Sequence, residues 1–127
     1  MECEGRMIEC RRMAKDSRDD AFGLLRTFLG EDAHYLDSSD AYGAGGDGAL
    51  ARALDLFLAR PEIGFVWLGY EDGRPVAVCI VYFAISTSAG AVVAKLDDVF
   101  VKTGMQGRGI GSAHLVSLKD ELRRLGV

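Results

Sequence analysis

The sequence is poor in cysteine, in basic charge and in long apolar runs, and each shortage excludes a class of protein. Its three cysteines, Cys3, Cys10 and Cys79, match no disulfide framework and no metal site in number or spacing. We therefore expect reduced thiols, a cytoplasmic setting and no bound metal. The net charge of −4 argues against a general affinity for nucleic acid, which needs a basic face.

Apolar segments are present but short. The longest, residues 76–85, has about half of the roughly 20 residues that a membrane-spanning helix needs, so it predicts a buried strand. Residues 1–10 contain no long apolar stretch, so we expect no signal peptide. Hydrophobic residues make up 49% of the 127-residue chain, enough for the core of one domain spanning residues 1–127.

Hydrophobic periodicity and turn residues predict the order of the elements. A capping box of Ser17 and Asp20 is expected to open the first helix, and Asp72-Gly73 to form a hairpin turn. The predicted elements are a strand over 7–13, a helix over 18–29, a helix capped by Asp47 and ended by Pro61, antiparallel strands over 64–70, 75–85 and 91–102, a glycine-rich loop over 104–111 and a helix over 110–125.

An acidic segment separates the first two predicted helices. Between residues 27 and 51 there are five acidic residues and no lysine or arginine, and residues 30–48 are predicted to form a loop. Two interpretations remain open: the segment attracts a cationic small molecule, or it is a solvated acidic loop. The two histidines, His34 and His114, have no motif around them and are predicted to be surface or core residues.

The segment with the clearest chemical meaning is residues 95–118, KLDDVFVKTGMQGRGIGSAHLVSL. A strand leads into a glycine-rich turn that opens directly into a helix. Glycines allow close approach of the backbone to a ligand, and the first N–H groups of a helix bind anions. Residues 106–112 are therefore predicted to hold a phosphate or diphosphate through backbone N–H groups, to which Arg108 adds a charge. These residues are Gln106, Gly107, Arg108, Gly109, Ile110, Gly111 and Ser112.

Three glycine-loop signatures compete for this segment. A Walker loop requires Lys-Ser or Lys-Thr after its last glycine, but Ser112 and Ala113 follow Gly111 here. A Rossmann fingerprint requires a different glycine spacing within a βαβ unit. The coenzyme A signature Q/R-x-x-G-x-G/A is matched in full by Gln106, Gly109 and Gly111.

Together with the preceding Val-Phe-Val strand and the following amphipathic helix, this loop resembles motif A of the GNAT N-acetyltransferases. The resemblance implies an α+β fold with α/β/α layers, built on a mixed, mostly antiparallel sheet. It also implies that acetyl-CoA is the co-substrate. Pantetheine would pair with the strand edge at Val99, Phe100 and Val101, and an N–H near Val99 would polarise the thioester carbonyl.

A narrower resemblance concerns the reactive centre. Leu96-Asp97-Asp98-Val99-Phe100-Val101 is similar to the Leu-Glu-Asp stretch of diamine (spermidine/spermine) acetyltransferases, which implies a polyamine acceptor. Catalytic candidates are Asp97, favoured by this analogy, and Asp98; either would deprotonate the amine. In the alternative interpretation both carboxylates cap a bulge or pair with Lys95 and Lys102.

The resemblance also implies what would follow residue 127: a strand, a helix and a final hairpin that complete the coenzyme cleft. We therefore expect a C-terminally truncated version of this fold. We also expect a homodimer, in which a partner lends the second wall of the cleft. Two further functions remain open: a non-catalytic CoA-binding domain, and a peptide or protein N-acetyltransferase.

Overall fold

The computed structural model describes residues 8–31 and 46–127. Its elements are β1 (Glu9–Arg12), a 3-10 turn (Lys15–Ser17), α1 (Arg18–Glu31), α2 (Gly46–Ala59), β2 (Gly64–Glu71), β3 (Arg74–Ser86), β4 (Ala91–Val101) and α3 (Ile110–Leu125). This order confirms the predicted fold. Most of the predicted acidic loop, His34 and Cys3 lie outside the described residues.

The four strands form one antiparallel sheet in the order β1-β2-β3-β4. The hairpin between β2 and β3 turns at Asp72 and Gly73, whose φ angles of 53° and 78° are those of the predicted tight turn. β3 lies between β2 and β4, and its residues 76–79 are buried on both faces of the sheet. This explains why its sequence is continuously apolar instead of alternating.

Helices cover both faces of the sheet. The larger core cluster joins α1 and α2 to one face through Leu24, Leu25 and Leu54, which pack with Val66 and Val78. On the opposite face, residues of α3 pack in two clusters. Leu118 contacts the one that contains Phe65, Trp67, Cys79 and Val81, and Ile110 contacts the one that contains Val76 and Ala77. The layers are therefore α1 and α2, the sheet, and α3.

The start of α1 differs from the prediction. Ser17 and Asp20 do not form a capping box: the Ser17 Oγ accepts a hydrogen bond from the Ala14 N–H at 2.9 Å. Asp20 instead accepts a hydrogen bond of 2.7 Å from the Tyr70 hydroxyl. Because Tyr70 reaches α1 from β2, this competing partner was not visible in the local sequence.

The end of α3 was predicted correctly. Gly126 has φ 80° and donates its N–H to the Arg123 and Leu122 carbonyls, as expected for a glycine that ends a helix.

Among the described helices, none is long and apolar enough to cross a membrane.

Candidate functional site

The edge of the sheet is β4, and its pairing with β3 is interrupted. Val78 lies opposite Phe100 and Ile80 opposite Asp97, so the single residue Cys79 faces two residues of β4. The extra residue forms a β-bulge at Asp98 and Val99. The bulge therefore lies in the stretch that contains the two candidate catalytic acids, Asp97 and Asp98. Bulges shift the register of a strand and redirect its backbone groups.

The bulge decides which backbone groups of β4 face away from the sheet. Lys102 donates its N–H to the Val76 carbonyl at 2.8 Å, so residue 102 faces β3. Because backbone direction alternates along a strand, Phe100 also faces β3, and the N–H groups of Val99 and Val101 face outward. Within the described residues β4 pairs only with β3, so these two N–H groups lie on an open edge.

The side chain of Phe100 is buried and packs against Phe28, with ring centroids 5.3 Å apart. The Phe100 side chain therefore contributes to the core, and the outward backbone groups within residues 99–101 are those of Val99 and Val101.

Asp97 and Asp98 have different environments. Asp97 is exposed and lies opposite Ile80, which packs against the cluster of α1 and α2, so its side chain is on that face. Its Oδ1 accepts a hydrogen bond of 3.0 Å from the Asp98 N–H. Asp97 thus caps the bulge, as one half of the alternative interpretation predicted. Among the described residues neither carboxylate forms an ion pair, so the other half, pairing with Lys95 and Lys102, is not observed.

Asp98 combines partial burial with an unusual backbone conformation. It is half-buried and has φ 50°, a left-handed conformation that residues other than glycine seldom adopt. Burial, and secondly the nearby charge of Asp97, raise the pKa of the Asp98 carboxyl. Opposite the bulge, burial raises the pKa of the Cys79 thiol to about 11, so this thiol stays protonated. The bulge thus holds a half-buried carboxyl group among apolar residues.

The glycine loop follows β4 and is fixed to it. Gln106 donates its side-chain N–H to the Val101 carbonyl at 2.9 Å, and Met105 donates its backbone N–H to the Lys102 carbonyl. Gly104, Gly107 and Gly109 have φ angles of 90°, 79° and 81°. Side chains other than glycine are strained at these angles, which is why the turn contains three glycines.

The loop opens into α3 with its donors unused. Within the described part of the chain, the backbone N–H groups of Gly109, Ile110, Gly111 and Ser112 donate no hydrogen bond. The first bond of the helix is from the Ala113 N–H to the Gly109 carbonyl, at 3.0 Å. The first turn of α3 contains no acidic residue, so nothing there opposes an anion.

Arg108 adds charge beside this helix end. Its guanidinium lies 3.8 Å from a Glu71 carboxylate oxygen and donates to the Met105 sulfur at 3.0 Å. Glu71, at the end of β2, is a residue that sequence reasoning missed, because only the tertiary fold places it near the loop. An acidic residue at that strand end gave no signal in the sequence.

The first half of α3 is held to the sheet by a polar network that the sequence did not reveal. The Nε2 of His114 lies 3.0 Å from the Trp67 carbonyl oxygen. The Ser117 Oγ accepts a hydrogen bond from the Trp67 indole N–H at 3.0 Å and donates to the His114 carbonyl at 2.7 Å. Gly69 leaves room for the imidazole, because a Cβ there would lie 3.1 Å from the His114 ring.

His114 is therefore a core residue, one of the two roles predicted for it. Burial lowers its pKa to about 4, so the ring is neutral at physiological pH. Its Nε2 consequently acts as the donor to the Trp67 carbonyl. The network fixes α3 one turn away from the unused N–H groups at its start.

An open strand edge, a glycine loop and a helix start with unused donors thus lie next to one another in the structure. The model of the acetyltransferase (GNAT) family matches residues 30–127. The chain belongs to this family and is an acyltransferase; proteins of the family use acetyl-CoA.

Solved structures agree with this assignment in fold. An integron cassette protein from the mobile metagenome of Cole Harbour Salt Marsh is 26% identical, with a TM-score of 0.77 over 93% of this chain and 72% of its own. A predicted acetyltransferase with acetyl-CoA from Clostridium acetobutylicum is 18% identical, with a TM-score of 0.65 over 95% of this chain and 77% of its own.

A third similar structure contains an amine. It is an aminoglycoside acetyltransferase from an uncultured soil metagenomic sample in complex with sisomicin, 16% identical, with a TM-score of 0.67 over 94% of this chain and 72% of its own. A search of curated proteins found no match.

Proposed function

We propose that this protein transfers the acetyl group of acetyl-CoA to a primary amine of a small cationic molecule, with a polyamine as the first candidate. The observation that carries the proposal is the position of the Val99 N–H. It faces outward beside the bulge, on the strand that leads into the unused N–H groups at the start of α3.

Acetyl-CoA would bind along the edge of β4. Its diphosphate would accept hydrogen bonds from backbone N–H groups of residues 106–112, where the partial positive charge of α3 favours an anion. Pantetheine would pair with the carbonyl of Val99 and the N–H of Val101, since the Val101 carbonyl already accepts a hydrogen bond from Gln106. The Val99 N–H would then donate to the thioester oxygen as negative charge develops on it. Gln106 and His114 act indirectly, by fixing the loop to β4 and α3 to the sheet.

The chemical step is a direct attack by the amine. Its nitrogen bonds to the thioester carbonyl carbon, the C–S bond breaks, and coenzyme A leaves as a thiolate that takes up a proton. Free amines have a pKa of about 10, so a base must first remove a proton from the ammonium group. We assign this role to Asp97, whose exposed side chain lies on the face of α1 and α2. No covalent enzyme intermediate is required.

A cationic acceptor fits the charge of this side of the molecule. The acidic segment connects α1 to α2, and these helices pack on the face that carries Asp97. Within it Asp47 is described, and its carboxylate accepts a hydrogen bond from Arg26 at 2.9 Å. The other four acids of the segment carry negative charge that would attract an amine. The sisomicin complex shows that a protein of similar fold binds a molecule of this charge type.

We also propose that the protein is a cytoplasmic homodimer. The described cysteines, Cys10 and Cys79, are free thiols, in keeping with a reducing compartment. An open strand edge favours pairing with another chain, and exposed Val92, Leu96 and Val99 add apolar surface to β4.

Two measurements test the proposed function. Isothermal calorimetry with acetyl-CoA tests coenzyme binding, and thiol release from acetyl-CoA tests turnover with spermidine, sisomicin and a lysine-containing peptide. We expect binding and the fastest release with spermidine. Binding without release would indicate a CoA-binding domain without activity, and release with the peptide alone would indicate a peptide acetyltransferase. No binding would refute the proposal.

A further inference from the structure

We infer that Asp98 is a positioning residue: its left-handed backbone conformation, and not its charge, maintains the bulge that directs the Val99 N–H out of the sheet. The consequence for acetyl-CoA rests on the proposed function, whereas the backbone role stands on the geometry of β4 alone.

The geometry of the strand requires an unusual residue at this point. Two residues of β4 face Cys79, and the first of them, Asp98, has φ 50°. Among the described residues, only one other non-glycine residue has a positive φ: Asp72, in the turn between β2 and β3. Aspartate and asparagine enter this conformation more easily than other side chains, because their short polar groups bond to the local backbone.

Here the local bond to the backbone is made by the preceding side chain. The Asp97 Oδ1 accepts the Asp98 N–H at 3.0 Å, so this donor is used inside the bulge. The Val99 N–H, one residue further, lies on the outward side of the edge. If Asp98 adopted an extended conformation, the two-to-one register opposite Cys79 would be lost. With the longer set of pairs before the bulge kept in register, from Ile80 opposite Asp97 to Ser86 opposite Ala91, the N–H groups of Val99 and Val101 would then face β3. The reason is that backbone direction alternates along a strand.

The surroundings of Asp98 do little to stabilise a negative charge on its carboxyl. The carboxyl is half-buried, and no described cation forms an ion pair with it. The described titratable groups that interact electrostatically with it are the Asp97 carboxylate, which repels a second negative charge, and the buried Cys79 thiol. A neutral side chain that tolerates the left-handed conformation should therefore serve as well.

Substitutions at residue 98 distinguish the effect of its backbone conformation from the effect of its carboxylate charge. Asp98→Asn and Asp98→Gly remove the carboxylate, but asparagine and glycine adopt a positive φ readily. Asp98→Ala also removes the carboxylate, and alanine is strained at a positive φ. We expect the KM for acetyl-CoA to stay within about twofold of wild type in the first two variants and to rise about tenfold in Asp98→Ala. The kcat should change less than the KM in all three.

Asp72→Ala is the matched control, since it removes the same residue type from the same conformation at a distance from the site. We expect Asp72→Ala and Asp98→Ala to lower the thermal unfolding midpoint by similar amounts. Only Asp98→Ala should raise the KM for acetyl-CoA, which a merely structural role would not do.

Two results would overturn the inference. Loss of turnover in Asp98→Asn and Asp98→Gly, as large as in Asp98→Ala, would make the charge essential. An unchanged KM in Asp98→Ala would show that the bulge does not position the coenzyme. If wild type binds no acetyl-CoA, the proposed function fails, yet unfolding midpoints still test the backbone role. Asp98→Ala must then be less stable than both Asp98→Asn and Asp98→Gly, and the opposite order contradicts it.

Discussion

The carboxylate of Asp97 accepts a hydrogen bond of 3.0 Å from the backbone N–H of Asp98, so two adjacent acids share one bulge in different roles. Asp97 is exposed on the face of α1 and α2, whereas Asp98 is half-buried with a left-handed backbone. This relationship allows the base to be tested without disturbing the bulge, because an asparagine at residue 97 keeps an oxygen acceptor for the Asp98 N–H.

The first prediction concerns Asp97→Asn. We expect kcat for spermidine to fall by roughly 10²- to 10⁴-fold, the usual effect of removing a general base. Acetyl-CoA binding, measured by calorimetry, should change little because the bulge is kept. Turnover equal to that of wild type would remove Asp97 from the mechanism.

The second prediction concerns the start of α3. Gly109 has φ 81°, so Gly109→Ala strains the segment whose N–H groups are proposed to bind the diphosphate. We expect acetyl-CoA to bind about tenfold more weakly by calorimetry. Gly126→Ala, at φ 80° at the other end of α3, is the control. It should lower stability similarly, by about 1 kcal/mol, without affecting acetyl-CoA binding.

The third prediction concerns pH and His114. Its pKa is lowered from 6.5 to about 4 in the folded protein, mainly by burial. Because the pKa is lower in the folded than in the unfolded chain, the unfolded chain takes up a proton first as the pH falls. The stability associated with a neutral His114 is therefore fully present above pH 6.5 and is lost as the pH falls toward 4. The difference corresponds to roughly 3 kcal/mol in the free energy of unfolding. Urea unfolding between pH 7 and pH 4 measures it.

His114→Gln should reduce this pH dependence, since the amide cannot gain a proton in that range. A slope that stays unchanged in His114→Gln would assign the acid sensitivity to other groups.

The fourth prediction uses the single tryptophan. Ser117→Ala leaves the Trp67 indole N–H without its partner in a part-buried position, which costs about 1–3 kcal/mol. We expect a lower urea midpoint and a shift of the emission maximum of Trp67. Thr87→Ala, in an exposed turn, should change neither quantity. A Ser117→Ala protein as stable as wild type would show that the bond contributes nothing.

The fifth prediction concerns the open edge of β4. A homodimer has twice the 13.7 kDa of the chain, about 27 kDa, in light scattering after size exclusion. Leu96→Lys places a charge on the edge and should give the mass of one chain. Val116→Lys, at a comparably exposed apolar residue of α3, should remain dimeric. A wild-type protein that is monomeric at micromolar concentration contradicts the proposal.

Much of the fold and of the coenzyme loop was predictable because the signals are local. Helix α3 was predicted with its observed bounds, from leucine periodicity and the glycine that ends it. The hairpin at Asp72-Gly73 follows from the left-handed tolerance of those two residues. The wrong capping box shows the limit of such reasoning: Asp20 bonds to Tyr70, a residue 50 positions away.

The amino-acid sequence was sufficient to predict the strand, the glycine loop and the helix, because each of these depends on neighbours within a few residues. The hypothesis of an anion site at the loop follows from the same local pattern. Three features required the fold: the difference between Asp97 and Asp98, the outward direction of Val99 and Val101 while the Phe100 side chain enters the core, and the burial of His114 between α3 and the sheet. These properties depend on the register between β4 and β3 and on the packing of α3 against β2. Register and packing are set by contacts between segments that are distant in the chain.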